Sequence, residues 1–135
     1  MGINSIPNPV DIAISGLRAE SARMNVIAGN IANSRTTRTD SGEPYRRQEV
    51  ALSTSGDAFS GPTIQGIVPD MANAFKQVHQ PGHPDADKDG FVKMPNVDLP
   101  VEMIGLVAAS RAYQANAAVL KRHQEIMDAA IALLK

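Results

Sequence analysis

Apolar residues recur every seven positions at both ends of this chain, and the middle keeps no such period. Towards the C-terminus, Leu99, Leu106, Tyr113, Leu120, Met127 and Leu134 form one row. Met103, Ser110, Ala117, Gln124 and Ile131 form a second, four residues further on. Rows seven apart with a companion at four make one stripe down a helix. Asp98 is placed to cap it, Pro100 suits its first turn, and Glu102 suits the positive end of the helix dipole. Residues 96–135 are therefore predicted to be one long helix, running ~54 Å from Leu99 to Leu134 at about 1.5 Å per residue. A compact chain of this size has a radius of gyration of only ~14 Å. Such a helix cannot bury its whole stripe within its own domain, so part of it must meet another segment or another subunit. A strict seven-residue repeat drifts by ~20° per heptad on a straight helix, which favours a supercoiled partner. Ser110 and Gln124 keep an ordinary helical bundle open as the plainer reading.

The N-terminal stretch has the same spacing in weaker form. Asn8 followed by Pro9 is a helix start, and Val10, Leu17, Met24 and Ile31 then fall seven apart, with Ile14, Ser21 and Ala28 four residues on. Gly16 and Gly29 each weaken this helix by about 1 kcal/mol relative to alanine. The predicted division is a tail over 1–8, a helix over 9–33, an irregular β-rich insert over 34–95 and the long helix over 96–135. Within the insert, Ser41-Gly42 signals a turn. Tyr45–Leu52, Thr63–Val68 and Phe75–His79 are strand candidates, and a Ser/Gly-rich loop spans 53–62. The fold class is mainly α with a small β insert: two long terminal helices in a coiled-coil-like pair, with short strands and irregular loops between them. Val10, Leu17, Met24 and Ile31 are expected to pack against Leu106, Tyr113, Leu120 and Met127, partly within one chain and partly between subunits, with Leu134 prolonging the stripe. Burying each large apolar side chain contributes ~1.5–3 kcal/mol, enough for eight of them to supply most of an assembly interface.

Composition narrows the chemistry. The 135 residues carry 13 basic and 14 acidic side chains, a net charge of -1, so no long-range field draws nucleic acid or anionic lipid. The absence of cysteine removes thiol catalysis, thiolate metal sites and disulfides together. Aromatics are only 4% and Trp is absent, which argues against a large aromatic enzyme core. No apolar run approaches the roughly 20 residues that span a bilayer. The first residues lack the charged and apolar blocks of a cleaved secretory signal. There is no Gly-x-Ser-x-Gly elbow and no phosphate-binding glycine loop. Arg35, Arg38, Arg46 and Arg47 are too few, and too closely flanked by acids, for a nucleic-acid surface. No small-molecule substrate and no cofactor are implied.

One metal candidate stands out. Asp85, Asp87, Asp89 and Gly90, with Phe91 and Val92 after them, match the opening of a calcium loop, D-x-D-x-D-G. The match fails at the twelfth place, which is Asn96 rather than a bidentate Glu, and Pro81, Gly82 and Pro84 exclude an entering helix. A solvated acidic turn is the plainer reading, and a calcium-responsive regulatory module is the alternative function. His79 and His83 are four apart, but Pro81 and Gly82 between them break the helix that would make this spacing useful. His123 belongs to the surface or an interface.

Particular residues then carry more than periodicity. The run Ser15–Thr37 (SGLRAESARMNVIAGNIANSRTT) resembles the N-terminal signature of the flagellar rod, hook and filament family, at Ser15, Gly16, Leu17, Met24, Asn25, Asn30, Ala32 and Asn33. GEPYRRQEV (Gly42–Val50), the block QPGHPDADKDGFVKMPNVDLPVEM (Gln80–Met103) and SRAYQANAAVLK (Ser110–Lys121) extend the resemblance over nearly the whole chain and narrow it to the proximal-rod members. The acidity at Asp85, Asp87 and Asp89 and a somewhat longer N-terminal tail depart from the pattern. The resemblance implies a structural subunit exported without a cleaved signal peptide and assembled helically into the periplasm-spanning rod of the basal body. It implies partners in copies of itself, other rod subunits, the membrane-embedded MS ring and the export apparatus at the rod base. The two terminal helices would then form the inner tube and the insert would face its neighbours.

Overall fold

The computed structural model describes residues 8–54 and 60–134. Residues 1–7 of the expected tail over 1–8, half of the Ser/Gly-rich loop (55–59) and Lys135 lie outside them. The element order is α1 (Pro9–Ala32), β1 (Gln48–Thr54), β2 (Pro62–Pro69), β3 (Lys76–His79), β4 (Phe91–Met94) and α2 (Leu99–Ala132). Mainly α with a small β insert is the architecture observed. Both helices begin as their sequences dictate. The Asn8 side chain accepts from Val10 N at 3.1 Å, and that of Asp98 from Val101 N at 3.4 Å, each with proline in the first turn. Asn33 closes α1, its backbone and side-chain N–H groups both donating to Gly29 O.

The helices pack antiparallel. Asn30 hydrogen-bonds to Glu102, a methyl added to Gly105 would lie 3.4 Å from Ile27 Cδ1, and one added to Gly16 would lie 2.7 Å from Asn116 Nδ2. Apart from Ile27 the seam is built from small and polar residues: Ala13, Gly16, Ile27 and Asn30 of α1 are buried against a line in α2 that includes Glu102, Gly105, Ala109 and Asn116. These positions also follow a seven-residue spacing, one notch around each helix from the rows of large apolar residues. Small side chains let two helix backbones approach closely, which is why they take the floor of the contact. Val10, Leu17, Met24 and Ile31 are each half-buried beside that floor, as are Leu106 and Leu120, while Tyr113, Met127 and Leu134 are exposed.

β1 and β2 form an antiparallel hairpin with a bulge at Gln65, where the pairing steps from Ala51–Gly66 to Leu52–Ile64. Its open end sits by the C-terminus of α1, where Gln48 meets Asn30, and its closed end reaches back to Ile12 and Ser15 through Gly61. A side chain at Gly61 would overlap Ser15 Oγ and come within 3.3 Å of Ile12 Cα, with Ser15 Cβ at 3.1 Å. Ser15 Oγ is itself committed to Ile12 O at 2.8 Å. Gly61→Ala is therefore expected to lift the hairpin off α1 and cost about 1–3 kcal/mol by overpacking, read as a lower urea midpoint. Gly16→Ala meets only a flexible Asn116 side chain and should cost less; equal losses would contradict this account.

β3 and β4 form the second antiparallel hairpin, Lys76 opposite Met94 and His79 opposite Phe91. The strand over Phe91–Met94 was not expected from sequence, because Phe91 and Val92 read as the tail of a calcium-like loop. Val92 is fully buried, and Pro95, Asn96 and Val97 continue into the core. Gly90 holds φ +80, with Pro81 and His79 crowding the place of its missing side chain.

Candidate assembly interface

Where the two helices and the insert converge, the core is polar. Asn30, wholly buried, uses all of its hydrogen-bonding capacity: Nδ2 donates to Gln48 O (2.9 Å) and Glu102 Oε2 (3.1 Å), while Oδ1 accepts from Gln48 N (2.9 Å) and Tyr45 OH (3.0 Å). Glu102 is 2% exposed, and its other oxygen accepts from Arg47 Nε at 2.5 Å. Arg47 also pairs with Glu49 and lies 3.7 Å from Asp70 Oδ2. Asn96 closes the ring: Oδ1 accepts from Arg47 N at 2.8 Å, and Nδ2 donates to Asp70 O and Asn73 O. Buried polar groups persist only when satisfied in this way. The junction thus sets how the insert sits on the helix pair. Glu102 was expected only as a favourable charge near the start of α2; its burial, and the roles of Asn30 and Asn96, were not foreseen.

Burial, and next the Glu102 carboxylate, raises the Tyr45 hydroxyl above its ordinary value of 10.0. For Arg47, burial acts downward, but the hydrogen bonds to Glu102 and Glu49 together outweigh it and the net shift is upward. Asp70 is held below its ordinary 3.8 first by the Asn73 side-chain amide, against burial, and further by the backbone N–H groups of Asn73 and Ala72 and by Arg47. Asp70 therefore stabilises the fold above pH 3.8, and this contribution is lost as pH falls through its depressed native value. Tyr45 contributes below pH 10.0 and loses its contribution as pH rises through its raised native value. Urea midpoints measured against pH should fall at both extremes. Asp70→Asn should flatten the acid limb, and an unchanged acid limb in that variant would contradict the assignment.

The four arginines read as a thin basic cluster are dispersed. Arg38 lies 3.6 Å from Asp85, Arg46 stacks over the Phe75 ring at 4.1 Å, Arg47 enters the junction, and Arg35 is exposed. The acidic turn is likewise occupied by its own chain. Asp87 Oδ1 accepts from Asp89 N and Phe91 N, at 3.0 and 2.8 Å, and Asp85 Oδ2 accepts from Thr37 Oγ1 at 2.7 Å. Asp85, Asp87 and Asp89 do not converge on a common point, and no group of three or more His, Cys, Asp or Glu among the described residues could hold a metal. The calcium-responsive alternative finds no support: the Asp87 carboxylate caps the hairpin turn, and that of Asp85 is held by Thr37 and Arg38.

The surface left over is apolar and lies on α2. Continuing the antiparallel register puts Pro9, where α1 begins, opposite the His123 region, so roughly 14 Å of α2 extends beyond α1. On this extension Ile126, Met127, Ile131 and Leu133 are 60%, 50%, 53% and 88% exposed. Met103, Ile104, Val107 and Val119 are exposed along the rest of the helix. Such a patch on a small protein marks a surface that another molecule covers. No described helix is long and apolar enough to cross a membrane.

Two family models match the chain: "Flagella basal body rod protein" over residues 11–38, and "Flagellar basal body rod FlgEFG protein C-terminal" over residues 88–133. Curated relatives match across the insert as well. The flagellar basal-body rod protein FlgC of Salmonella typhimurium is 42% identical over 123 residues, 89% of this chain and 91% of that protein. FlgC of Yersinia enterocolitica is 41% identical over 91% of this chain and 93% of its own length. FlgC of Borreliella burgdorferi is 35% identical over 93% and 95%. On an alignment that runs through both helices, the insert and the polar junction between them, this chain belongs to the FlgC family of flagellar basal-body rod proteins.

Proposed function

We propose that this protein is a structural subunit of the bacterial flagellar basal-body rod, polymerising helically with copies of itself and with other rod subunits. The observation that carries the reading is the apolar face of α2, which its own chain leaves open along its whole length. In an assembled tube, neighbouring helices would cover Tyr113, Met127 and Leu134 and complete the burial of Val10, Leu17, Met24, Ile31, Leu106 and Leu120. The contact would be of the coiled-coil kind that seven-residue spacing favours. The rod would transmit torque across the periplasm through dense packing rather than through bond chemistry, so no catalytic step enters the reading. At its base the rod would meet the membrane-embedded MS ring and the export apparatus, and subunits would arrive there unfolded, without cleavage of a signal peptide. A strain lacking the gene is expected to be immotile, with basal bodies that stop at the inner-membrane ring, and a plasmid copy should restore both. Complete basal bodies in that strain would overturn the proposal.

A further inference from the structure

Two patches on α2 are complementary to each other and lie too far apart to meet within one chain. The first is a shallow recess of about 370 Å³ on the outer side of the helix, lined by Leu106, Val107, Ser110, Arg111 and Gln114. The second is on the extension beyond α1, where Ile131 and Met127 are exposed beside Asp128. Arg111 and Asp128 have opposite charge and are both exposed, and neither makes an ion pair with any described residue; nearby Arg122 and Glu125 pair with each other at 3.2 Å. Each patch thus presents an apolar surface flanked by one unspent charge, and the charges are opposite. Arg111 and Asp128 are 17 residues apart on a continuous helix, or ~26 Å along its axis.

We infer that the extension of one copy docks into the outer recess of a second copy, Ile131 against Leu106 and Val107, with Asp128 paired to Arg111. This rests on the rod reading and names which surfaces of two copies meet in it. The apolar anchors Leu106 and Ile131 lie on one stripe, but at about 100° per residue Arg111 and Asp128 sit about 100° apart around the helix, so a two-fold pair of helices cannot seat both charges at once. The contact is therefore heterologous: it leaves a free patch on each copy and propagates instead of closing a two-fold dimer. Adjacent copies would be staggered by the separation of the patches. Opposite charges meeting at an interface set its register, whereas like charges there oppose it.

The chain has no cysteine, so engineered thiols report one contact at a time. Arg111→Cys and Asp128→Cys in the same chain cannot bridge internally, because a disulfide needs α-carbons within about 7 Å. In cells that assemble flagella, this double variant should give a ladder of covalent oligomers of the chain, and each single variant none. In the chain without engineered cysteines, Arg111→Glu and Asp128→Arg should each stop motility, and the two together should restore it. Lys121→Glu, which reverses the other unpaired cation of α2, should leave swimming intact. Cross-linking through Lys121→Cys instead of Arg111→Cys, bridging to a different rod protein, or a combined reversal that stays immotile would overturn the docking. A gene deletion that leaves swimming intact would instead overturn the rod reading itself, so the two failures are distinguishable.

Discussion

Glu102→Leu is expected to be the most destabilising single substitution in the chain, lowering the unfolding free energy by about 3–5 kcal/mol. The wild-type carboxylate is almost wholly enclosed and accepts from Arg47 and Asn30, which belong to separate parts of the chain. Replacing it leaves a half-buried guanidinium without its buried counter-charge and one Asn30 N–H without an acceptor. That loss exceeds the gain from a larger apolar side chain, because Glu49 and Asp70 remain near Arg47 but do not replace the enclosed carboxylate that met its Nε and the Asn30 amide. Combining Glu102→Leu with Arg47→Met should recover much of the loss, since removing both ions also removes the penalty. Urea titrations of the three variants, followed by helical circular dichroism, separate the outcomes. A double variant that simply adds the two single losses would contradict the junction described above.

Ile131→Asp should have the opposite profile: little effect on the fold and a complete effect on assembly. Ile131 is 53% exposed, and α1 begins too late in the chain to reach it in the observed register. Surface substitutions of this kind change stability by about 0.5 kcal/mol or less. A charge on the face that neighbouring subunits would cover must be desolvated on assembly and displaces the apolar contact there. Cells carrying the variant should make normal amounts of protein, with an unchanged urea midpoint, yet fail to swim. Motility at wild-type level would show that this part of α2 stays open to solvent in the working structure.

The helices were legible in the sequence because Asn8-Pro9 and Asp98 with Pro100 are strong start signals and the seven-residue rows are long. Which residues line the seam was not. Rows of Leu, Met and Ile attract attention, but Ala13, Gly16 and Ala109 share the same period and take buried positions because they are small, with Gly105 half-buried against Ile27. The large residues are thereby displaced to the flanks and the outside, where only a neighbour can cover them. Two strands of the insert were anticipated closely, but Phe91–Met94 was hidden by the acidic motif before it, a local pattern that reads alike for a metal loop and a capped hairpin turn. The polar junction left no local trace: Asn30, Arg47 and the Asn96–Glu102 stretch are far apart in sequence, and nothing in their immediate surroundings shows that they share one buried site. Asn30 and Asn96 stood inside the stretches that carried the family resemblance, yet resemblance alone did not say what they bind.

Hydrogen exchange along α2, compared between the free subunit and assembled rods, tests the central claim most directly. In the free subunit, amides near Ala109 and Asn116, held against α1, should exchange slowly, and those from Gln124 to Leu134 should exchange fast. In the rod both regions should be protected. Equal protection of the two regions in the free subunit, or fast exchange from Gln124 to Leu134 within the rod, would contradict a helix whose outer face is satisfied only by its neighbours.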